Sequence, residues 1–168
     1  LHLSIRRQRQ MCIRDRIKAI VGASIPVCAH IGLTPQSINA FGGFKVQGKG
    51  EKQAQQLLDD ARRVQEAGAF AVVLEGIPAL LAQKITDTLD IPTIGIGAGA
   101  GCDGQVLVYQ DMLGMFTDFK PKFVKHFANV GEIMTEAFKT FDQEVKEGVF
   151  PAPEHTYKID EDIIGRLY

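Results

Sequence analysis

Two side chains in this 168-residue sequence stand where a buried strand is predicted to end, and both can move a proton. Glu75 follows the apolar run Ala-Val-Val-Leu, and His30 closes the run Ile25-Pro-Val-Cys-Ala. In parallel α/β folds the functional groups collect at the carboxyl ends of the strands. A carboxylate that faces an apolar cavity is desolvated, which raises its pKa and suits it to act as a general base near neutral pH. Glu75 is therefore the first candidate for a catalytic residue.

Each of these residues also has a purely structural interpretation. Glu75 could pair with a lysine or arginine, or cap the helix that is predicted to begin near Pro78. His30 could be a core histidine with satisfied hydrogen bonds, and otherwise it would donate a hydrogen bond to a substrate oxygen or act as an acid. Asp111, which follows the fourth predicted strand, is a further polar candidate. Position along the chain leaves these alternatives open.

The glycine-rich run Gly95-Ile-Gly-Ala-Gly-Ala-Gly-Cys-Asp-Gly104 contains a literal G-x-G-x-x-G that begins at Gly99. A dinucleotide-binding fingerprint needs a helix that opens directly from the glycines, so that its N-terminus meets the pyrophosphate. The residues that follow, Gln-Val-Leu-Val-Tyr, have a strand pattern instead. We interpret the motif as accidental, and the glycines as a tight turn or a close approach of the backbone to a ligand. Cys102 has no base beside it in sequence, so it is a weak candidate nucleophile.

A second glycine-rich run, Phe41-Gly-Gly-Phe-Lys-Val-Gln-Gly-Lys-Gly50, has the composition of a loop beside a site. Glycine hinges combined with Lys45 and Lys49 would suit a lid that closes over an anionic ligand. A solvated surface loop explains the same residues equally well, because such loops are also rich in glycine and lysine.

Alternating strand and helix patterns surround these residues from Ile17 onward. Amphipathic stripes predict a helix over 54–64 that stops at Gly68, a helix opened by Pro78, and a longer helix over 130–145 closed by Gly148. The predicted strands are 25–30, 69–76, 91–96 and 105–109. Such alternation predicts an α/β fold with parallel strands and crossover helices. A doubly wound open sheet fits this pattern, and so does the second half of a (β/α)8 barrel, since four strands would suit half of a roughly 250-residue barrel.

Composition and charge exclude several classes of protein. The chain has 19 basic and 20 acidic residues, and its net charge of −1 gives no electrostatic reason to expect a nucleic acid or an anionic membrane as partner. No apolar run is long enough to span a bilayer. The 3 cysteines are odd in number, widely spaced and without a CxxC pair, which disfavours a disulfide scaffold or a zinc site. A cytoplasmic location is the simplest expectation.

The first sixteen residues, LHLSIRRQRQMCIRDR, differ from the rest of the chain. They are rich in arginine, and they lack the apolar stretch of a signal peptide. The string MCIRDR resembles translated sequencing-adapter read-through, so residues 1–16 are predicted to be foreign. Residues 17–150 are then predicted to form the folded domain, and residues 151–168 a C-terminal tail on its surface.

Four stretches of the sequence together resemble the ketopantoate hydroxymethyltransferase family. They are PVCAHIGLTPQSINAFGGFKVQGKG, AVVLEGIP, IPTIGIGAG and DGQVLVYQDMLG, and they are followed by PKFVKHFANV and EGVFPAPEHTY. All of them occur in the order and with the spacing of the family. The resemblance runs over residues 17–157, and it is far more specific than any single glycine pattern.

The resemblance implies the fold and the reaction. The fold is a (β/α)8 TIM barrel of the phosphoenolpyruvate-mutase and isocitrate-lyase type, of which this chain would hold strands five to eight, the C-terminal half. The reaction is transfer of a hydroxymethyl group from 5,10-methylenetetrahydrofolate to 3-methyl-2-oxobutanoate, which gives 2-dehydropantoate for the synthesis of pantothenate and coenzyme A. The family also implies a homodecamer, and a Mg²⁺ ion that chelates the 2-oxo acid and stabilises its enolate.

Two residues of this sequence match functional positions of the family. Glu75 in VLEGIP matches the general base that removes the C3 proton, and His30 in AHIGLTPQ matches a histidine that lines the substrate pocket. The family's acidic metal ligands, and the Ser and Lys that hold the oxo acid, lie in the first four βα units. This sequence lacks those units, so no metal ligand is assigned within it, and the residues that contact folate stay unknown.

Without the metal ligands and the residues that hold the oxo acid, the chain by itself is expected to differ in activity from the complete protein. A carboxylate base without the metal has no means of stabilising the enolate, so we expect the isolated 168-residue chain to have little or no transferase activity. The complete protein would be active. Two alternatives remain, namely a related carbon–carbon lyase of the same barrel group and a non-catalytic half-barrel remnant that self-associates or binds a ligand.

Overall fold

The computed structural model describes residues 13–34, 43, 45–116 and 119–167. They form two compact units. The first contains the described residues up to Val108 together with Pro121–Val124, and the second contains Tyr109–Lys120 together with Lys125–Tyr168. Residues 1–12 of the segment predicted to be foreign lie outside the described part, and the division of the chain at residues 16 and 150 stays a prediction.

The first unit is an α/β unit with a parallel sheet. Its strands lie in the order β1-β2-β3-β4, and each neighbouring pair is parallel, which confirms the predicted α/β fold. In chain order the elements are a helix over residues 13–22 (α1), β1 (Cys28–Gly32), α2 (Glu51–Glu66), β2 (Ala71–Glu75), α3 (Ala79–Thr86), β3 (Thr93–Ile96) and β4 (Gly104–Gln105).

Strands β1 and β3 begin after the prolines that the sequence analysis placed inside them. Proline has no backbone N–H to donate to a ladder, so it is confined to strand starts, edges and bulges. Pro26 therefore precedes β1, which starts at Cys28, and Pro92 precedes β3, which starts at Thr93. The carbonyl of Pro92 still accepts a hydrogen bond from the Val72 N–H at 3.0 Å.

Within the described part of the first unit, helices cover one face of the sheet. Val72 and Leu74 are completely buried on this face, and burial of a leucine stabilises a fold by about 1.5–3 kcal/mol. The same core contains Ala29 and Ile31 of β1, Ile17 of α1, Ala61 and Val64 of α2, and Ala82 and Ile85 of α3. Because side chains alternate along a strand, the intervening residues point the other way. We call their side the open face, and it carries Cys28, His30, Val73, Glu75, Ile94 and Ile96, which are half-buried or exposed.

Residues 97–103, which we call the glycine strap, join β3 to β4 without a helix. Parallel strands ordinarily need a crossover of about a dozen residues or more, usually a helix. The strap lies directly against α3, because a Cβ atom on Gly99 would collide with Ala79, and one on Gly101 with the side chain of Gln83. Contact with a helix therefore accounts for these two glycines. A strand follows the run, as expected for a chance match to the dinucleotide motif.

Buried Thr93, the first residue of β3, is hydrogen-bonded to Asp103 at the end of the glycine strap. The backbone N–H and the hydroxyl of Thr93 donate to Asp103 Oδ2 at 2.8 and 2.9 Å, and the hydroxyl also lies 2.8 Å from Thr86 Oγ1. These hydrogen bonds, the backbone one first, hold the pKa of Asp103 below its usual range. The run predicted as a loop at the carboxyl end of the third strand thus passes from that edge of the sheet to the opposite one.

The second unit consists of helices. Its elements are α4 (Tyr109–Met112), α5 (Val130–Glu147), a 3-10 turn (Pro153–His155) and α6 (Glu161–Ile164). Helix α5 ends at Gly148, which adopts the left-handed conformation with φ of 71°, so the predicted helix stop is confirmed. The predicted strand over 105–109 was too long, because only Gly104–Gln105 pairs and Tyr109 begins a helix. Within the described residues, no helix is both long and apolar enough to cross a membrane.

We expect Thr93→Val to destabilise the chain by about 1–3 kcal/mol, because it removes the hydroxyl that bonds Asp103 and leaves the buried partners incompletely satisfied. The free energy of unfolding is measured by urea denaturation followed by circular dichroism. Thr88→Val is the control, since the Thr88 hydroxyl bonds the Lys84 carbonyl at an exposed position. Equal losses in the two variants would contradict the role assigned to Thr93.

Candidate active site

The ends of β1 and β2 bring the two sequence-predicted residues into contact. His30 Nε2 lies 3.0 Å from Glu75 Oε2. The strand register pairs His30 with Val73 and Gly32 with Glu75, so the histidine and the glutamate are diagonal neighbours on the open face. The partner of the Glu75 carboxylate in the described chain is thus a histidine, whereas one structural interpretation required a lysine or arginine. The other required Glu75 to cap the helix near Pro78, and α3 has no side-chain cap hydrogen bond.

Burial controls the ionisation of Glu75. The Glu75 side chain is only 15% exposed, against 33% for His30. Desolvation raises the pKa of the Glu75 carboxyl above its usual value, and the charge and hydrogen bond of His30 act in the opposite direction with smaller effect. A carboxylate with a raised pKa is a stronger base than an exposed one, so this arrangement can abstract a proton.

Backbone hydrogen bonds fix the position of Glu75 at the edge of the sheet. Its carbonyl accepts from the Leu33 N–H at 2.8 Å, and the next N–H, of Gly76, donates to the Ile96 carbonyl at 2.9 Å. Gly32 permits this close approach, because its φ is +95° and a Cβ there would collide with the Glu75 carbonyl. The sequence analysis missed Gly32, although a glycine directly after an apolar run is a signal of tight backbone packing.

The described part of the predicted lid lies beside the same edge. The N–H of Gln47 donates to the Gly76 carbonyl at 2.9 Å, and the Gln47 side chain donates to the Lys45 carbonyl at 2.7 Å. Lys45 and Lys49 are exposed, as the lid hypothesis requires. Residues 35–42 and 44 lie outside the described residues, so the closure of a lid stays a prediction.

The other candidate residues lie on other elements of the chain. Asp111 lies in helix α4 of the second unit. Cys102 is a free thiol in the glycine strap, where it packs against the hydrophobic core rather than on the open face. In the described ranges, His, Cys, Asp and Glu side chains form no group of three or more that could hold a metal ion.

A cavity of about 270 Å³ borders the outer edge of β1 and reaches His30. Its polar wall contains Asp60, whose pKa is raised by burial against the opposing effects of Gln56 and Arg63. The remaining lining residues are Ile13, Arg14, Ile17, Val27, Cys28, Ala29, Ile31, Arg63 and Val64. Glu75 is not among the residues that line this cavity, although its contact partner His30 is.

Comparison with known proteins adds to this geometry. The profile of the family described as ketopantoate hydroxymethyltransferase matches residues 5–153, which is most of the chain. The chain belongs to the ketopantoate hydroxymethyltransferase family. The family resemblance predicted from the sequence motifs is therefore confirmed.

Individual members of the ketopantoate hydroxymethyltransferase family are highly similar to the chain. A protein of Clostridium novyi (strain NT) named 3-methyl-2-oxobutanoate hydroxymethyltransferase is 67% identical over 154 residues, which are 92% of this chain and 56% of that protein. One of the same name from Enterococcus faecalis (strain ATCC 700802 / V583) is 64% identical, with the same two coverages. One from Clostridium kluyveri is 58% identical over 163 residues, 97% of this chain and 58% of that protein. The chain thus spans little more than half the length of the curated relatives it matches.

We expect Gly32→Ala to destabilise the chain by at least about 1 kcal/mol, because alanine is strained at positive φ and its Cβ meets the Glu75 carbonyl. Urea denaturation measures the loss. Gly22→Ala is the matched control, since a Cβ at Gly22 has open space and alanine favours a helix. If Gly32→Ala unfolded at the same urea concentration as the unsubstituted chain, the close approach of β1 to Glu75 would be refuted.

Proposed function

We propose that this chain is the general-base half of a ketopantoate hydroxymethyltransferase. The complete protein would transfer a hydroxymethyl group from 5,10-methylenetetrahydrofolate to 3-methyl-2-oxobutanoate and form 2-dehydropantoate. Two facts support the assignment, namely membership in the family and the identity of 67% to a relative that is named for this substrate and this transfer. The observation that carries it is the Glu75–His30 pair at the carboxyl edge of a parallel sheet.

We propose further that the sheet is the C-terminal half, strands five to eight, of a (β/α)8 barrel. The strands follow one another in sequence order without the reversal that marks a doubly wound sheet. The three helices described in the first unit, α1, α2 and α3, pack on the same face of the sheet, as the outer ring of a barrel does. The open face would then be the inner surface of the barrel. A chain that covers 56% of a relative is the right size for slightly more than half of such a domain.

In this proposal Glu75 removes the proton from C3 of 3-methyl-2-oxobutanoate. That proton is acidic because the neighbouring carbonyl delocalises the electron pair left behind. The resulting enolate carbon attacks the methylene group carried by the folate, so one carbon–carbon bond forms. In the net reaction, both bonds from the methylene carbon to folate nitrogens break: the bond to C3 replaces one, and a bond to the oxygen of a water molecule replaces the other, which gives the hydroxymethyl group. The two nitrogens take up the proton lost from C3 and the remaining proton of the water, so tetrahydrofolate is released. The raised pKa of Glu75 makes its carboxylate basic enough to compete for this proton. His30 lines the substrate pocket beside it, and Lys45 and Lys49 belong to the loop that closes over the anionic oxo acid.

The residues of this chain do not fit a Mg²⁺ site in the part that the structure describes. Magnesium is held through carboxylates in octahedral geometry, and the described residues contain no suitable cluster. The proposal therefore assigns the family's Mg²⁺ ligands to residues beyond this chain, and the chemistry given to Glu75 and His30 uses their own side chains. Residues that contact the folate are unassigned.

The proposal also covers assembly and location. A homo-oligomer, a decamer by resemblance to the family, is supported by the large apolar side chains that α5 exposes, among them Ile133 at 69% and Phe138 at 66% exposed. A cytoplasmic location is supported by the free thiols of Cys28 and Cys102, because reducing compartments keep cysteines unpaired.

Glu75→Gln in the full-length protein is expected to abolish exchange of the C3 proton while binding of the oxo acid is largely kept, because the amide is similar in shape but cannot accept a proton. Exchange is measured by NMR in deuterium oxide and binding by isothermal titration calorimetry. If binding and exchange fell together by the same factor, Glu75 would be a structural residue.

The isolated 168-residue chain is expected to show little or no exchange of the C3 proton, because it offers no described site for the metal that the family uses. The same NMR assay is run with and without added Mg²⁺. Measurable Mg²⁺-dependent exchange by the isolated chain would contradict this expectation. Cleavage of a related acid without any folate donor would instead favour a carbon–carbon lyase of the same barrel group.

A further inference from the structure

The Glu75 carboxylate is held by one of its two oxygens. In the described chain, Glu75 Oε2 contacts His30 Nε2 at 3.0 Å. An imidazole makes a hydrogen bond to a carboxylate by donating an N–H, whether the ring is neutral or charged, so this distance places a proton of His30 on Nε2. The contact restrains the rotation of the carboxylate and leaves Oε1 available to a reactant.

We propose that His30 is a positioning residue for Glu75, which holds the carboxylate by Oε2 and orients Oε1 toward the substrate proton. The inference rests on the proposed function, and it deepens that proposal by giving His30 a task beyond lining the pocket. His30 does not exchange a proton with the substrate in this scheme. The C3 proton moves to Glu75 Oε1, its electron pair stays on the substrate as the enolate, and the Nε2–H of His30 remains on nitrogen.

The sheet fixes the relative position of His30 and Glu75, because both residues lie in paired strands and neither lies in a loop. His30 lies inside the ladder of β1, and Glu75 is the last residue of β2. The backbone next to Glu75 is bonded to both neighbouring strands, through Leu33 on one side and Ile96 on the other. Side chains at diagonal positions of adjacent strands are within reach of each other when one of them is long.

Among the described residues, His30 is the side chain whose charge acts on Glu75. From β3 the open face carries Ile94 and Ile96, and Val73 is the neighbour on the same strand, so these three neighbours of Glu75 are apolar. From β1 it carries Cys28 as well as His30. The charge and the hydrogen bond that oppose the effect of burial on the pKa of Glu75 both come from His30.

The test is a pH titration of the Glu75 carboxyl carbon by 13C NMR in the 168-residue chain. His30→Leu removes the donor and the charge, so the midpoint for Glu75 should move to higher pH. His30→Gln keeps a neutral N–H donor near the position of Nε2, so its midpoint should lie between the other two. His155→Gln is the control, because His155 lies in the exposed 3-10 turn of the second unit.

An unchanged midpoint in His30→Leu would overturn the proposal. If that variant does not fold, 15N NMR of the imidazole in the unsubstituted chain and in Glu75→Leu gives an independent reading. A predominant Nε2–H tautomer that requires Glu75 supports the proposal, and the same tautomer ratio in both proteins refutes it.

The rate of C3 proton exchange in the full-length protein gives a second test of the role of His30. His30→Leu should slow C3 exchange about tenfold, the factor that loss of one charge-assisted hydrogen bond gives. The acidic limb of its pH–rate profile should move to higher pH, because the base must be ionised to act, and His30→Gln should recover part of the rate. KM for the oxo acid should not change.

The outcomes separate the two proposals. If the unsubstituted full-length protein catalyses no exchange, the proposed function fails, while the NMR titration still decides whether His30 controls Glu75. If exchange occurs and His30→Leu raises KM without moving the pH–rate profile, His30 binds the substrate directly and the positioning role is refuted. A shifted profile with constant KM supports the positioning role.

Discussion

Burial of one face of β2 is the constraint on which the candidate site depends. Val72 and Leu74 have no exposed surface, and they can be buried only if that face of the strand lies under the helices. The twofold alternation of a strand then places Val73 and Glu75 on the opposite face, and a register slip of one residue would reverse the arrangement. The core beneath the helices therefore determines where the carboxylate points, although it makes no contact with a reactant.

Much of this arrangement could be predicted from the sequence, because it depends on local patterns. The apolar run before Glu75 is continuous, as expected for a strand of a parallel sheet, and the stripe before Gly68 has helical period. Strand starts were predicted too early at Ile25 and Ile91, where the apolar pattern continues through a proline that cannot join the ladder. The approach of His30 to Glu75 could be expected as a shared edge, but not as a contact, because strand register is a long-range property.

The glycine run illustrates what sequence patterns cannot show. Its spacing matches a nucleotide-binding motif, yet Gly99 and Gly101 are needed because a helix formed by an earlier segment lies against them. The role of the Asp103 carboxylate could not be predicted from the sequence either, because its hydrogen-bond partner Thr93 is 10 residues away on another element. A residue type reports that space or a hydrogen bond is needed at a position, whereas the neighbour that imposes the need is defined only by the tertiary structure.

The helix-free glycine strap has a consequence for the order in which the sheet forms. Closing a chain segment costs entropy that grows with the length of the segment, so contacts between nearby residues form at the lowest entropic cost. The Thr93–Asp103 bonds close 10 residues, whereas the pairing of Cys28 with Ala71 must also bring in α2 and the loop before it. Loop entropy therefore favours assembly of the sheet from β3 and β4 toward β1. The contact between His30 and Glu75 belongs to the described pairing with the largest sequence separation, so the same argument predicts that it forms after the other two pairings.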